Sequence, residues 1–180
     1  MGSSPFLKQG KTAFLTQAAM IAALYAAFTL IALQFSFTAN QFRFSEALTI
    51  LAFFTPAAIP GLTAGCIIAN IFSPFWYLDI PLGSLATLLA ATVTYLLRKV
   101  KFGKFFAPLP PVIFNALIVG AMITVFFPDD KISLAAFAVN ASLIGVGEFV
   151  VCYGAGLPLL LTLERDSFKA LFRRRPGKNN

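Results

Sequence analysis

The chain has 180 residues, of which 58% are hydrophobic and only 12% are charged, with a net charge of +7. Soluble globular proteins carry about 25% charged residues, so this composition excludes an ordinary aqueous domain and indicates a polytopic membrane protein. In such a chain the positive charge reports orientation rather than nucleic-acid binding. Histidine is absent and both cysteines, Cys66 and Cys152, lie in apolar runs. We therefore expect no disulfide framework, metal site, cofactor or catalysis.

The apolar runs predict one all-α membrane domain over residues 1–180, with six transmembrane helices and a basic tail at 164–180. The predicted spans lie near 12–34, 46–57, 59–73, 80–98, 109–127 and 134–163. The first apolar run is long for the core of a signal peptide, so we expect it to stay in the membrane.

The second and third spans share one charge-free run between Ala47 and Leu78. This run exceeds one span of about 20 residues and falls short of two. Pro56 and Pro60 each remove a backbone donor and clash with the preceding turn, which favours two short helices joined by a tight cytoplasmic turn. The alternative is a single span, which gives five helices and an external N-terminus.

Charge bias orients the predicted helices. With six spans, all but two of the 14 basic residues share one face with both termini, and Arg43 and Lys131 lie opposite. The positive-inside rule then makes both termini cytoplasmic. The five-helix alternative gives nearly the same bias, so charge alone does not choose between the two layouts.

Two lines of alanines at four-residue spacing run along the first predicted helix. They are Ala18, Ala22 and Ala26, and Ala19, Ala23 and Ala27. Small residues let another helix approach closely, either within the bundle or on a separate partner protein, and the pattern leaves both readings open. The line Gly61, Gly65 and Ala69 in the third span is expected to pack internally.

Ionisable groups inside a span are costly and mark functional sites by default. Glu148 is the clearest case. Counting about 20 residues back from the charged pair Glu164 and Arg165 places it about one turn below the outer boundary. Gly145 and Gly147 beside it leave space for another backbone or a small ligand.

Further polar and aromatic residues are predicted to converge with Glu148 in the outer half of the membrane. They are Arg43, Glu46, Asn70, Asp79 and Asn140, with Phe42, Phe44, Phe75, Trp76 and Tyr77 around them. The aromatic rings suit either stacking on a planar solute or the headgroup region, and Arg43 with Glu46 suits either a ligand or an ion pair at a helix end. Asn115, near the cytoplasmic start of its helix, is expected to make a helix-to-helix hydrogen bond.

Several motifs resemble those of the QueT family. They lie at 41–48, 54–61, 65–70, 78–79, 83–91, 110–120, 147–148 and 157–158, so that the resemblance spans roughly 15–163. QueT proteins are substrate-binding S components of energy-coupling-factor (ECF) transporters, assigned to queuosine precursors. The resemblance therefore implies an S-component-like bundle of six helices in a bacterial plasma membrane.

The resemblance also implies partners and a substrate. An S component binds its solute from outside, here a deazaguanine such as preQ1 or preQ0, and associates with a transmembrane coupling protein (EcfT type) and two cytoplasmic ATPases (EcfA type). This fits the absence of a nucleotide-binding loop, because Pro5 stands where the first glycine of a motif ending at Lys11 and Thr12 would fall. S components of this kind contact the coupling protein through a small-residue face on the first helix, which either alanine line matches.

The chemistry of a deazaguanine suggests roles for the polar residues. A carboxylate accepts two parallel hydrogen bonds from a guanine-type edge, and a second acid can pair with an aminomethyl ammonium. We expect Glu148 or Glu46 at the guanine edge, Asp79 at the ammonium, Asn70 and Asn140 at the ring carbonyl or nitrogen, and Trp76 or Tyr77 in stacking.

Other functions remain as alternatives. One is an S component for another vitamin, such as folate or riboflavin, and another is a stand-alone channel or secondary transporter. A secondary transporter is expected to show paired broken helices or a polar path across the membrane. An intramembrane enzyme is disfavoured, because the chain has no histidine and no acid in the predicted inner half of a span.

Overall fold

A computed structural model describes residues 10–32, 43–127 and 132–164. All regular structure in these ranges is helical, which confirms the all-α prediction. The helices are α1 (Lys11–Ile31), a 3₁₀ helix (Phe44–Phe53), α2 (Ala58–Asn70), α3 (Trp76–Leu97), a short helix (Gly103–Phe106), α4 (Leu109–Phe126) and α5 (Leu134–Leu163).

Four helical segments within the described ranges are long and apolar enough to cross a membrane. They are α1, α3, the segment Gly103–Phe126 that contains α4, and α5. Their outer faces carry large apolar side chains such as Leu15 (65% exposed) and Val146 (65% exposed). Such a surface is unfavourable in water and suited to lipid, so the protein is a multi-pass membrane protein. The 3₁₀ helix and α2 are apolar but shorter, and the six-span layout therefore stays a prediction.

The apolar run from Ala47 to Leu78 is interrupted as its prolines predict. The 3₁₀ helix ends at Phe53 and α2 begins at Ala58, with Pro56 in the turn between them. Pro60 lies in the first turn of α2, where its missing N–H removes no helical hydrogen bond. One continuous helix through this region is therefore wrong. The sequence did not predict the 3₁₀ winding, which is unusual because such runs rarely exceed about four residues.

Small residues hold α1 and α2 in close contact. A Cβ atom added at Gly61 would lie 2.7 Å from the backbone oxygen of Ala18, and one at Gly65 would lie 2.7 Å from that of Ala22. Ala22 and Ala69 are buried here. The internal packing expected for the glycine line of α2 is confirmed.

This contact also separates the two alanine lines of α1. Ala18 and Ala22 pack against α2, which favours the reading of their line as packing within the bundle. The line Ala19, Ala23 and Ala27 lies on the exposed face of α1. Of the two, only the exposed line can touch another chain without displacing α2.

Substituting Gly65 by alanine is expected to lower the stability of the protein by about 1–3 kcal/mol, because the new methyl group would overlap the backbone of α1. Gly154→Ala provides the matched control, since a Cβ at Gly154 meets nothing within 4 Å. The midpoint of thermal unfolding in detergent should fall for Gly65→Ala and hold for Gly154→Ala. Equal midpoints for the two variants would contradict this packing.

Two helices contain a π-helical turn next to a buried acid. In α3 the turn spans Asp79–Gly83 and includes a proline that cannot donate to the preceding turn. In α5 it spans Cys152–Gly156 and begins one turn after Glu148. Such turns are frequent at functional sites. Asp79, Glu148 and Cys152 are all buried in the interior of the bundle.

Candidate functional site

Four charged side chains are buried in the region where the 3₁₀ helix packs against α3 and α5. Arg43, Glu46, Asp79 and Glu148 are each no more than 2% exposed. The guanidinium of Arg43 interacts electrostatically with the carboxylates of Asp79 and Glu46, and also with that of Glu148. Buried charges are rare unless they are paired or used by a ligand. We call these four residues the charged cluster.

Glu46 is held by hydroxyl groups from three helices. Tyr25 of α1 donates to Oε1, Thr87 of α3 donates to the same oxygen at 3.1 Å, and Thr49 of the 3₁₀ helix donates to Oε2 at 3.0 Å. An ionised carboxylate only accepts hydrogen bonds, so three donors stabilise its charge and fix its orientation. Glu46 thereby ties the 3₁₀ helix to α1 and α3.

Arg43, Asn70 and Asp79 lie together, as the sequence predicted. Nη2 of Arg43 is 3.8 Å from Oδ1 of Asp79, and the hydroxyl of Ser73 donates to Oδ2. Nδ2 of Asn70 donates to the backbone oxygen of Asp79 at 2.6 Å. A Cβ atom at Gly83 would lie 2.8 Å from Nδ2 of Asn70 and 3.2 Å from Nη1 of Arg43. Glycine at this position therefore makes room for both side chains against α3.

Glu148 has weaker support than Glu46. Nδ2 of Asn115 donates to Oε1 at 3.2 Å, and the thiol of Cys152, a weak donor, lies 3.7 Å from Oε2. The bond from α4 to α5 confirms the helix-to-helix hydrogen bond predicted for Asn115. Glu148 lies about four helical turns from Leu134, where α5 begins. Its depth of about one turn below the outer boundary stays a prediction, because α5 is longer than one membrane span.

The model of the family described as QueT transporter matches residues 15–165. This chain belongs to the QueT transporter family. A curated relative, the Queuosine precursor transporter QueT of Lactococcus lactis subsp. cremoris (strain MG1363), is 37% identical over 93 residues. That match covers 51% of this chain and 54% of the relative, so the chain spans about half the length of the curated relative. No solved structure matches this chain.

Three predicted site residues of this QueT-family protein differ from the charged cluster in their exposure or in their hydrogen bonds. Trp76 and Tyr77 are 56% and 55% exposed, and their rings contact each other edge to face. Nδ2 of Asn140 donates to Oγ1 of Thr124 at 3.0 Å, and Asn140 lies about 12 Å along α5 from Glu148. Their predicted roles in ligand binding therefore stay predictions. Phe42 lies outside the described residues.

The sequence did not predict three residues that surround Glu46 in this QueT-family chain. Tyr25, Thr49 and Thr87 carry hydroxyls that hydropathy treats as nearly neutral, although all three bind Glu46. The spacing of Thr49 could have predicted its contact, because Thr49 follows Glu46 by three residues and residues at this spacing share a helix face. Within the described ranges no group of three or more histidines, cysteines or acids is placed to hold a metal ion.

Proposed function

We propose that this protein is the substrate-binding S component of an ATP-driven ECF importer and captures a queuosine precursor, a deazaguanine such as preQ1 or preQ0, from outside the cell. Membership of the QueT transporter family and the name of the Lactococcus relative support the substrate class. The observation that carries the proposal is the charged cluster, three carboxylates and one guanidinium buried among membrane helices. Such a cluster is costly in lipid, which favours a ligand that uses it.

The hydrogen bonds within the site favour Glu148 over Glu46 for the guanine-type edge. Both oxygens of Glu46 already accept hydroxyl donors. Glu148 accepts only one amide and one distant thiol among the described groups. The edge of a deazaguanine presents parallel N–H donors, which match a carboxylate that still has acceptor capacity.

The charge balance of the cluster favours the cationic precursor. Arg43 is one buried cation against three buried acids, so the cluster carries an excess of negative charge when all three acids are ionised. The ammonium of preQ1 would offset part of that excess, whereas the neutral cyano group of preQ0 would not. Asp79 is engaged by Arg43 and Ser73. We therefore assign Asp79 to holding Arg43, and we assign the guanidinium and Asn70 to the polar ring atoms of the ligand.

The transport cycle that we propose requires a transmembrane coupling protein and two cytoplasmic ATPases, the partners that the resemblance to the family implies. The 3₁₀ helix and α2 act as the two short spans of a six-span layout with both termini in the cytoplasm. The exposed line Ala19, Ala23 and Ala27 contacts the coupling protein, and two cytoplasmic ATPases drive reorientation of the occupied site. The exposure of this alanine line supports the contact, because small side chains allow close approach of a second helix.

Titration of the purified protein with preQ1, preQ0, guanine, folate and riboflavin tests the proposal. We expect saturable binding of preQ1, weaker binding of preQ0, and co-purification with a coupling protein and two ATPases from the native membrane. Binding of folate or riboflavin but neither deazapurine would favour another vitamin. Uptake into vesicles that contain this chain alone would favour a stand-alone transporter.

A further inference from the structure

The side chain of Asn115 carries a buried acceptor that the protein does not use. Asn115 is 1% exposed and its Nδ2 donates to Glu148. Its Oδ1 has no hydrogen-bond partner among the described residues. The amide turns its nitrogen towards Oε1 of Glu148, which is the orientation that an ionised carboxylate requires. Buried acceptors without partners are uncommon, since leaving them unmet is costly.

Helix packing does not explain this amide. α4 and α5 approach each other through small residues elsewhere, since a Cβ atom at Gly120 would lie 2.9 Å from Cα of Ala141. The other buried amide of the site, Asn70, uses its nitrogen on a backbone oxygen of α3 and ties two helices together directly. Asn115 instead bonds to a carboxylate that itself lacks strong donors.

Two hydrogen-bond acceptors on facing helices, Glu148 and Asn115, therefore lack sufficient donors among the described residues. The carboxylate of Glu148 has one amide and one thiol as donors, and Oδ1 of Asn115 beside it has none in the described part of the chain. A ligand that fills this position must supply several N–H donors close together, because the two groups are hydrogen-bonded to each other.

We propose that Glu148 and Asn115 form one subsite for a 2-amino-substituted pyrimidinone ring. The ring N–H and one hydrogen of the exocyclic amine bond to the carboxylate of Glu148, and the second amine hydrogen bonds to Oδ1 of Asn115. Asn115 is thus the specificity residue that selects ligands bearing the amine. The inference rests on the proposed function and adds the residue that distinguishes guanine-type from hypoxanthine-type rings.

A pair of ligands differing only in the 2-amino group tests the assignment. Purified protein is titrated with 7-deazaguanine and 7-deazahypoxanthine, for the parent, Asn115→Leu and Asn115→Ala. The parent is expected to prefer the amino compound by about tenfold or more, because the analogue leaves a buried acceptor unmet. In both variants the preference should fall by about two- to tenfold from the parental value, since the bond to Oδ1 is lost while the amine still bonds to Glu148. Thr94→Val, which removes a buried hydroxyl bonded to the backbone of Ala107, should keep the parental preference.

The outcomes separate this inference from the function on which it rests. An equal loss of affinity for both ligands in the Asn115 variants would give the amide a structural role only, overturning the inference while the proposed function stands. A parent that binds both ligands equally would overturn the inference without any variant, which covers the case in which neither variant folds. A parent that binds no deazapurine would remove the proposed function and the inference together.

Discussion

Glu148→Gln is expected to weaken binding of a deazaguanine by about 100-fold, because the change removes charge-assisted hydrogen bonds of about 1.5–3 kcal/mol each. The glutamine keeps the shape of the side chain but turns an N–H group towards the donors of the ligand. The fold should be retained, since Glu148 makes only one amide hydrogen bond and one long thiol contact in the described structure, and their loss removes little stability. The dissociation constant of the purified variant is the measurement.

Glu164→Gln provides the matched control for that substitution. Glu164 ends α5, is paired with Lys104 at 3.1 Å, and its side chain is 35% exposed. An ion pair this open to its surroundings contributes about 0–1 kcal/mol, and it lies outside the charged cluster. The Glu164→Gln variant should therefore bind the ligand with the same affinity as the parent protein. Unchanged affinity in Glu148→Gln as well would remove Glu148 from the site.

Breaking the pair of Arg43 and Asp79 is expected to destabilise the protein by about 3–5 kcal/mol, because truncation of one partner leaves a buried charge without its counterion. The side chains are only 2% and 4% exposed, so solvent does little to screen them. Arg43→Leu should be worse than Asp79→Leu, since the guanidinium also faces Glu46 and Glu148. Denaturant unfolding in detergent measures each loss.

The double variant Arg43→Leu/Asp79→Leu separates pairing from simple loss of packing. If the two groups stabilise each other, the double variant should lose less stability than the sum of the two single variants. The corresponding cycle on Lys104 and Glu164 should show coupling of no more than about 0.5 kcal/mol, because that pair is exposed. Additive losses for Arg43 and Asp79 would show that they do not act as a pair.

These experiments address two different uses of buried charge in one site. Arg43 and Asp79 neutralise each other and, with Asn70, fix the start of α3 against α2. Glu148 is supported by an amide whose second polar atom has no described partner. We expect substitution of Asp79 to act mainly on stability and substitution of Glu148 to act mainly on affinity.

The sequence by itself determined that lipid surrounds this protein, where its helices approximately begin and end, and which acids lie in its apolar segments. Charge-free runs and the prolines at 56 and 60 act locally, so no knowledge of neighbouring helices was needed to place the break between the 3₁₀ helix and α2. The costly residues Glu46, Asp79 and Glu148 were also evident, because few acids occur in the chain.

Only the tertiary structure decided how the helices face one another. It placed Ala22 against α2 and left Ala23 on the exposed face, and it left Trp76 and Tyr77 more than half exposed. The physical reason is that a membrane-spanning helix is apolar on every side. Its hydrophobic periodicity therefore does not reveal which face packs against a neighbouring helix. The pairing of Asn115 with Glu148 required the rotation and register of α4 and α5, and no local pattern encodes these.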